Sequence, residues 1–150
     1  MMGPAARTRP NPLQGRLLLA YGRIASCGLL GLGLLGFLRT GFDHFSNVTG
    51  HSLLIFTVNP ETNLIHLIAG LVGLAMTASS PVLARRYALL IGGLGLPWAI
   101  AGYLLDGSLS DFFARNAALN TTHLAISIVA LALALWPSWP APREMSALAP

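Results

Sequence analysis

The stretches FTVNPETNLIHL (residues 56–67) and FARNAALNTTHL (residues 113–124) decide how the whole chain is organised. Both match the pattern F-x-x-N-x-x-x-N-x-x-H-L, and each opens a run of apolar and small residues about long enough to cross a bilayer. Because the two copies keep a constant offset, they predict the duplication of a two-helix hairpin, with one copy at the start of each second helix.

Composition predicts a protein of the lipid bilayer. Hydrophobic residues make up 54% of the 150-residue chain and charged residues only 9%, whereas about a quarter of the residues of soluble domains are charged. The apolar residues fall into four long blocks separated by the clusters of charge, which is typical of a polytopic α-helical membrane protein. The short alternating segments of a β-barrel are not visible.

Four transmembrane helices are predicted in these blocks, at about residues 17–38, 60–78, 87–105 and 117–136. Together they predict an all-α, up-down-up-down bundle built from two duplicated hairpins. Residues 1–16 are expected to form a disordered cytoplasmic tail, and residues 137–150 a cytoplasmic proline-rich tail. A tight turn is expected at Arg85 and Arg86, with the third helix starting near Tyr87.

The first asparagine of each motif is predicted to cap a helix. Asn59 precedes Pro60, which suits the first helical position, and Asn116 stands in the same place before the fourth helix. The loop of residues 40–58 mixes aromatic and apolar side chains, so we expect it to lie on the membrane surface or over the bundle.

The arginines predict the orientation. The chain has nine arginines and no lysine, which give a net charge of +4. One predicted side of the membrane carries Arg7, Arg9, Arg16, Arg23, Arg85, Arg86 and Arg143, and the other carries only Arg39 and Arg115. The positive-inside rule therefore places both termini in the cytoplasm, with the protein in the cytoplasmic (inner) membrane. The basicity is thereby explained as a topology signal, and no nucleic-acid partner is expected.

The polar residues of each motif share one helix face, because Asn63 precedes His66, and Asn120 precedes His123, by three positions. Small residues continue this face along both helices: Gly70, Gly73 and Thr77 in the second helix and Ser127, Ala130 and Ala134 in the fourth. A face of small residues is a packing face, so both histidines are expected inside the bundle. They lie roughly 9 Å below the helix starts and need hydrogen-bond partners there.

Three interpretations of the histidines stay open. They could fix helix packing together with the asparagines and do no chemistry. They could bind a cofactor or metal: His66 and His123 could ligate haem b, or hold zinc with His44, His51 or Asp106, and Asp106 could instead orient a motif histidine. They could also line an outward-facing pocket for a small ligand or a lipid headgroup.

No nucleophile with a base, no phosphate loop and no C-x-x-C motif is visible, so an enzyme is not expected. The leading hypothesis is a non-enzymatic accessory subunit that packs against a larger membrane complex or forms a homo-oligomer. Its support is the glycine content of the first and third helices, which allows close approach by another helix.

The doubled N-x-x-H-L, the core HLIAGLVGLA (residues 66–75), the R-R-Y turn and the acid that ends the third helix resemble a known membrane family. It is a bacterial, mostly actinobacterial family of short four-helix proteins, described only as a domain of unknown function. The resemblance covers roughly residues 24–136. It implies the four-helix membrane fold and carries the family pattern onto Asn63, His66, Asn120, His123 and Asp106, and it implies no activity.

Overall fold

Four helices and one small hairpin make up a computed structural model that describes residues 10–43, 45, 51–105 and 116–137. The helices are α1 (Pro12–Thr40), α2 (Pro60–Ser79), α3 (Pro81–Leu104) and α4 (Ala117–Leu135). The strands β1 (His51–Leu53) and β2 (Phe56–Val58) pair antiparallel. All four helices are long and apolar enough to cross a membrane, which confirms the predicted membrane-spanning helical class.

Several predicted features fall outside the described part of the chain. They are His44, Asp106, Arg115, residues 1–9 of the N-terminal tail and residues 138–150 of the C-terminal tail.

Two helices begin earlier than their sequences predict, because a cap and a proline start each of them. α1 begins at Pro12 rather than near Leu17: the Asn11 side chain accepts a hydrogen bond from the Gln14 N–H at 2.8 Å. Residues 12–16 are therefore helical and do not belong to a disordered tail.

α3 begins at Pro81 rather than near residue 87. The Ser80 side chain accepts from the Leu83 N–H at 3.2 Å and caps the helix. The pair Arg85 and Arg86 consequently lies inside α3, and the expected tight turn at these arginines is wrong: the chain turns at Ser80.

The β-hairpin lies at the end of the bundle where α2 and α4 begin. The Arg39 side chain, at the end of α1, donates to the Ser52 carbonyl at 3.2 Å. The Asn116 side chain donates to the Ile55 carbonyl at 2.8 Å and contacts the Thr57 hydroxyl at 3.1 Å. These contacts attach the segment predicted to lie over the bundle to both α1 and α4.

Glycines bring α1 and α2 into backbone contact. A Cβ atom at Gly70 would lie 2.7 Å from the Leu30 nitrogen and 2.8 Å from the Ser26 carbonyl oxygen. A Cβ atom at Gly33 would lie 2.7 Å from the Asn63 carbonyl oxygen. The predicted small-residue face of α2 is therefore a packing face, and its partner is α1.

α3 and α4 pack in a similar way. A Cβ atom at Gly92 would lie 2.6 Å from the Leu131 side chain and 3.1 Å from the Ser127 carbonyl oxygen, and Gly95 faces the Ser127 hydroxyl. The α1–α2 pair and the α3–α4 pair thus each have a close interface lined by glycine and serine.

Two tyrosines join these helix pairs. Tyr21 of α1 donates to the Ile126 carbonyl of α4 at 3.1 Å, and Tyr87 of α3 donates to the Ala69 carbonyl of α2 at 3.2 Å. The two acceptors, Ala69 and Ile126, have the same 57-residue separation as His66 and His123. One bond therefore runs from α1 to α4 and the other from α3 to α2.

Candidate functional site

The caps set the depth of the two histidines. The Asn59 side chain accepts from the Thr62 N–H at 2.9 Å, as half of a capping box, and the Asn116 side chain accepts from the Leu119 N–H at 2.8 Å. Because α2 and α4 start with matched caps, His66 and His123 stand at matched positions along their helices.

The two imidazoles meet inside the bundle. Their Nε2 atoms are 3.3 Å apart, and the ring centroids are 5.6 Å apart with 47° between the planes. His66 is only 4% exposed, and His123 is partly buried. The structure therefore pairs the two motif histidines with each other.

This contact leaves two ring nitrogens unsatisfied. When two neutral imidazoles share one Nε2–H···Nε2 bond, one Nδ1 atom carries a proton and the other has a lone pair. Both Nδ1 atoms are buried, and neither has a hydrogen-bond partner among the residues that the structure describes. A buried donor or acceptor without a partner costs about 1–3 kcal/mol, so packing alone is an expensive use of this pair.

The second asparagines of the motifs do not bond the histidines. The Asn63 side chain donates to the Thr40 hydroxyl at 3.0 Å and packs on Gly36 of α1. Asn120 packs in the same way on Gly102 of α3. Within the described ranges, neither side-chain oxygen accepts a hydrogen bond. The polar face predicted from the sequence is thus divided, with histidines between the helix pairs and asparagines within them.

Two grooves flank the histidine pair. The α1–α4 groove encloses about 560 Å³ and the α2–α3 groove about 330 Å³. They share a wall made of Leu29, Leu119, His123 and Ile126. The described lining of both grooves includes no Asp, Glu, Lys or Arg side chain. His123 lines both grooves, His66 lines the α2–α3 groove, and the hairpin residues Leu53, Leu54 and Phe56 line the α1–α4 groove.

The two grooves occupy matched places but differ in width. Gly28 lies as far after Tyr21 as Leu94 lies after Tyr87, and Leu32 corresponds to Trp98 in the same way. Gly28 and Leu32 line the α1–α4 groove, whereas Leu94 and Trp98 line the α2–α3 groove. The α1–α4 groove, which has the larger volume, thus has the smaller side chains at these two positions.

The histidine pair offers at most part of a metal site. Two imidazoles on a tetrahedral zinc, with Zn–N near 2.0–2.1 Å, have nitrogens about 3.3 Å apart, which agrees with the observed Nε2 separation of 3.3 Å. In the described ranges, however, no group of three or more His, Cys, Asp or Glu side chains could hold a metal. His51, a predicted ligand, lies exposed in β1 at the end of the bundle.

A haem would need a different arrangement of the same rings. Bis-histidine ligation places the iron and its flat macrocycle between the two imidazoles. Here the two Nε2 atoms are in direct contact, so the helix pairs would have to separate to admit the macrocycle. The haem prediction therefore depends on a rearrangement of α2 relative to α4.

Four apolar helices of membrane length around a buried histidine pair define a small multi-pass membrane protein. The chain belongs to the family described as Domain of unknown function (DUF4383), whose profile matches residues 20–136. This match confirms the resemblance to an uncharacterised family of unknown function. No curated protein and no solved structure matches the chain.

Sequence reasoning missed Tyr21, Tyr87 and the grooves. The matched roles of the two tyrosines show only in the structure, where their hydroxyls reach carbonyls that are 57 residues apart. The grooves also carry no sequence signal, since their width depends on which helices become neighbours.

Proposed function

We propose that this is a non-enzymatic membrane protein that binds an amphiphilic small molecule from the bilayer in the α1–α4 groove. The observation that carries the proposal is His123, which lies in the wall of a mostly apolar groove and whose Nδ1 atom has no hydrogen-bond partner among the described residues. Ligand pockets typically enclose about 300–1,000 Å³, with apolar walls and a few placed polar groups. The α1–α4 groove, at about 560 Å³, fits that description.

The surroundings of the groove favour entry from the bilayer. Ile24 and Leu35 of α1 line it and are 74% and 53% exposed, so apolar surface continues from the groove to the outside of the bundle. At the hairpin end, Leu53 and Phe56 restrict access from water. An apolar tail can therefore enter sideways between the helices, with its polar end near His123.

A larger side chain in the wall of the α1–α4 groove tests the proposed ligand binding. We expect Gly28→Leu to reduce labelling of α1 and α4 by a photoreactive long-chain alcohol in nanodiscs about tenfold, which corresponds to roughly 1.4 kcal/mol. Gly93→Leu is the matched control, because neither glycine has an atom within 4 Å of an added Cβ, and Gly93 lies outside the lining of both grooves. Equal labelling of the two variants, mapped by mass spectrometry, would contradict binding in this groove.

We further propose that the four helices form an up-down-up-down bundle that arose by duplication of one hairpin. Support comes from the matched caps, the histidine contact across the interface of the two hairpins, and the reciprocal bonds of Tyr21 and Tyr87. Contacts within α1 and α2 also run in opposite chain directions, from Gly22 beside Thr77 to Gly36 beside Asn63.

The proposed duplication can be tested by comparing the stability lost when Tyr21 or Tyr87 is replaced. Tyr21→Phe and Tyr87→Phe should each lower the free energy of unfolding by about 0.5–1.5 kcal/mol, because each removes one hydroxyl-to-carbonyl bond between the hairpins. Tyr103→Phe, whose exposed hydroxyl contacts Thr121 in its own hairpin, serves as the control. Denaturation in detergent measures all three. A large loss at one tyrosine with none at the other would show that the two positions are not equivalent.

We propose that both termini are cytoplasmic in the cytoplasmic membrane, on the basis of the arginine distribution. Ser52 is exposed in the hairpin, and Cys27 is the single cysteine of the chain. In a Cys27→Ser background, Ser52→Cys should therefore react with an impermeant maleimide on intact cells. Reaction only after lysis would reverse the orientation.

A second candidate function is that of an accessory subunit, and the observation in its favour is the open glycine face of α3. Gly93 is exposed and has space around an added Cβ, unlike the glycines packed within the bundle. Another membrane protein could approach α3 closely at this point. If it does, Gly93→Leu should shift the gently solubilised protein to a smaller species. A wild-type protein that is monomeric without a co-purifying partner would contradict this role.

A further inference from the structure

We infer that the molecule in the α1–α4 groove is an uncharged long-chain lipid whose head is a hydroxyl group. The inference rests on the proposed function and names the ligand class of that groove. Three observations support it. The groove lacks charged side chains, its polar side chains differ in the hydrogen bonds that they already make, and the α2–α3 groove is narrower.

Charge excludes most lipid heads. The described lining residues include no carboxylate, guanidinium or amine, and the imidazole of His123 is the one nitrogen-containing side chain among them. An ionised head group at this depth would lose its hydration without gaining an opposite charge, at a cost of several kcal/mol. Phosphates, fatty carboxylates and quaternary amines are therefore disfavoured as heads, and an uncharged head is favoured.

The polar groups of the groove favour a hydroxyl. Tyr21 already donates to the Ile126 carbonyl, and Thr122 donates to the Ala118 carbonyl at 2.8 Å. His123 is left with a buried Nδ1 atom that is either a donor or an acceptor, depending on the tautomer. A hydroxyl can bond either tautomer, whereas a ketone can bond only the protonated nitrogen. The inference includes a turn of the His123 ring that brings this buried nitrogen to the surface of the groove.

A comparison with the α2–α3 groove explains why the ligand is placed in the α1–α4 groove. In the α2–α3 groove, Leu94 and Trp98 stand at the positions of Gly28 and Leu32, and the groove offers less space for a lipid tail, about 330 Å³ against about 560 Å³. The same histidine pair therefore borders one wide groove and one narrow groove. The ligand is placed in the wide groove, beside His123.

A series of probes that share one tail and one diazirine tests the head group. The probes are analogues of dodecanol, dodecane, dodecanoate and a dodecyl methyl ketone, applied to the full-length protein in phosphatidylcholine nanodiscs. We expect dodecanol to label α1 and α4 about fivefold more than dodecane and dodecanoate, because one neutral hydrogen bond contributes roughly 1 kcal/mol, and more than the ketone, which bonds His123 in only one of its two tautomers. Dodecanoate or dodecane labelling as strongly as dodecanol would overturn the uncharged hydroxyl head, and equal labelling by the ketone would overturn the hydroxyl alone.

A variant locates the head group. His123→Phe keeps an aromatic ring but removes both nitrogens, so dodecanol labelling should fall about fivefold to the level of dodecane. Unchanged dodecanol labelling in a folded His123→Phe protein would overturn the assignment to this ring. The probe series on the wild-type chain does not depend on that variant folding. If no probe labels the groove at all, the proposed function itself fails, which is distinct from labelling that ignores the head group.

Discussion

Gly70→Ala should destabilise the bundle by about 1–3 kcal/mol, although it adds a single methyl group. The added Cβ would lie 2.7 Å from the Leu30 nitrogen and 2.8 Å from the Ser26 carbonyl oxygen, both of them backbone atoms of α1. Backbone atoms inside a helix cannot rotate away as a side chain can, so α1 and α2 must separate along the interface. The loss includes dispersion contacts on both sides of Gly70.

Unfolding in mixed detergent, followed by circular dichroism, measures this loss. Gly93→Ala and Gly28→Ala are matched controls, because an added Cβ at either position meets nothing within 4 Å. Both controls should stay within about 0.5 kcal/mol of the wild type. A Gly70→Ala protein as stable as these controls would mean that α1 and α2 do not touch at Gly70.

A double-mutant cycle on the histidine pair should give a strongly non-additive result. His66→Leu alone removes the Nε2 partner of His123 and leaves both nitrogens of the remaining ring unpaired, at a cost of about 1–3 kcal/mol. His123→Leu should cost a similar amount for the same reason. The double variant removes every unpaired ring nitrogen, and apolar side chains of similar size replace them, so it should be more stable than either single variant.

Denaturation of the four proteins in detergent measures the cycle, and His51→Leu, which alters an exposed histidine of the hairpin, is the control expected to change nothing. If the two single losses simply add in the double variant, the imidazoles are not in contact. A bound metal or haem would couple the two histidines as well, because the loss of either ligand removes the bound group. Elemental analysis and a visible spectrum of the purified protein would then show the bound group directly.

If the α1–α4 groove binds a lipid, His66 and His123 contribute to stability through their contact, and His123 separately contributes to binding. Stability reports the contact between the rings, whereas lipid labelling reports the face that His123 presents to the α1–α4 groove. Double replacement by leucine is therefore expected to preserve much of the fold while abolishing the preference for a hydroxyl head. This separation distinguishes a binding site from a purely structural pair.

Much of the fold could be predicted because its signals are local. Hydropathy indicated the four helices, and Asn59 and Asn116 indicated two helix starts, since a cap acts on backbone groups only a few residues away. The burial of His66 and Gly70 also followed from the spacing of residues on one face of α2. Where local signals competed, the prediction failed: Asn11 and Ser80 capped helices that hydropathy and charge had placed later.

By itself, the sequence determined the four membrane-length helices of the described chain, two of their caps and the polar face that carries each histidine, because these depend on neighbours within one helix. Only the tertiary structure decided that His66 contacts His123 while Asn63 and Asn120 pack on glycines of other helices. It also decided that Gly28 opens a groove while Gly33 closes an interface. The physical reason is that such contacts depend on which helix lies opposite each face and at what distance, and residues remote in the chain set both.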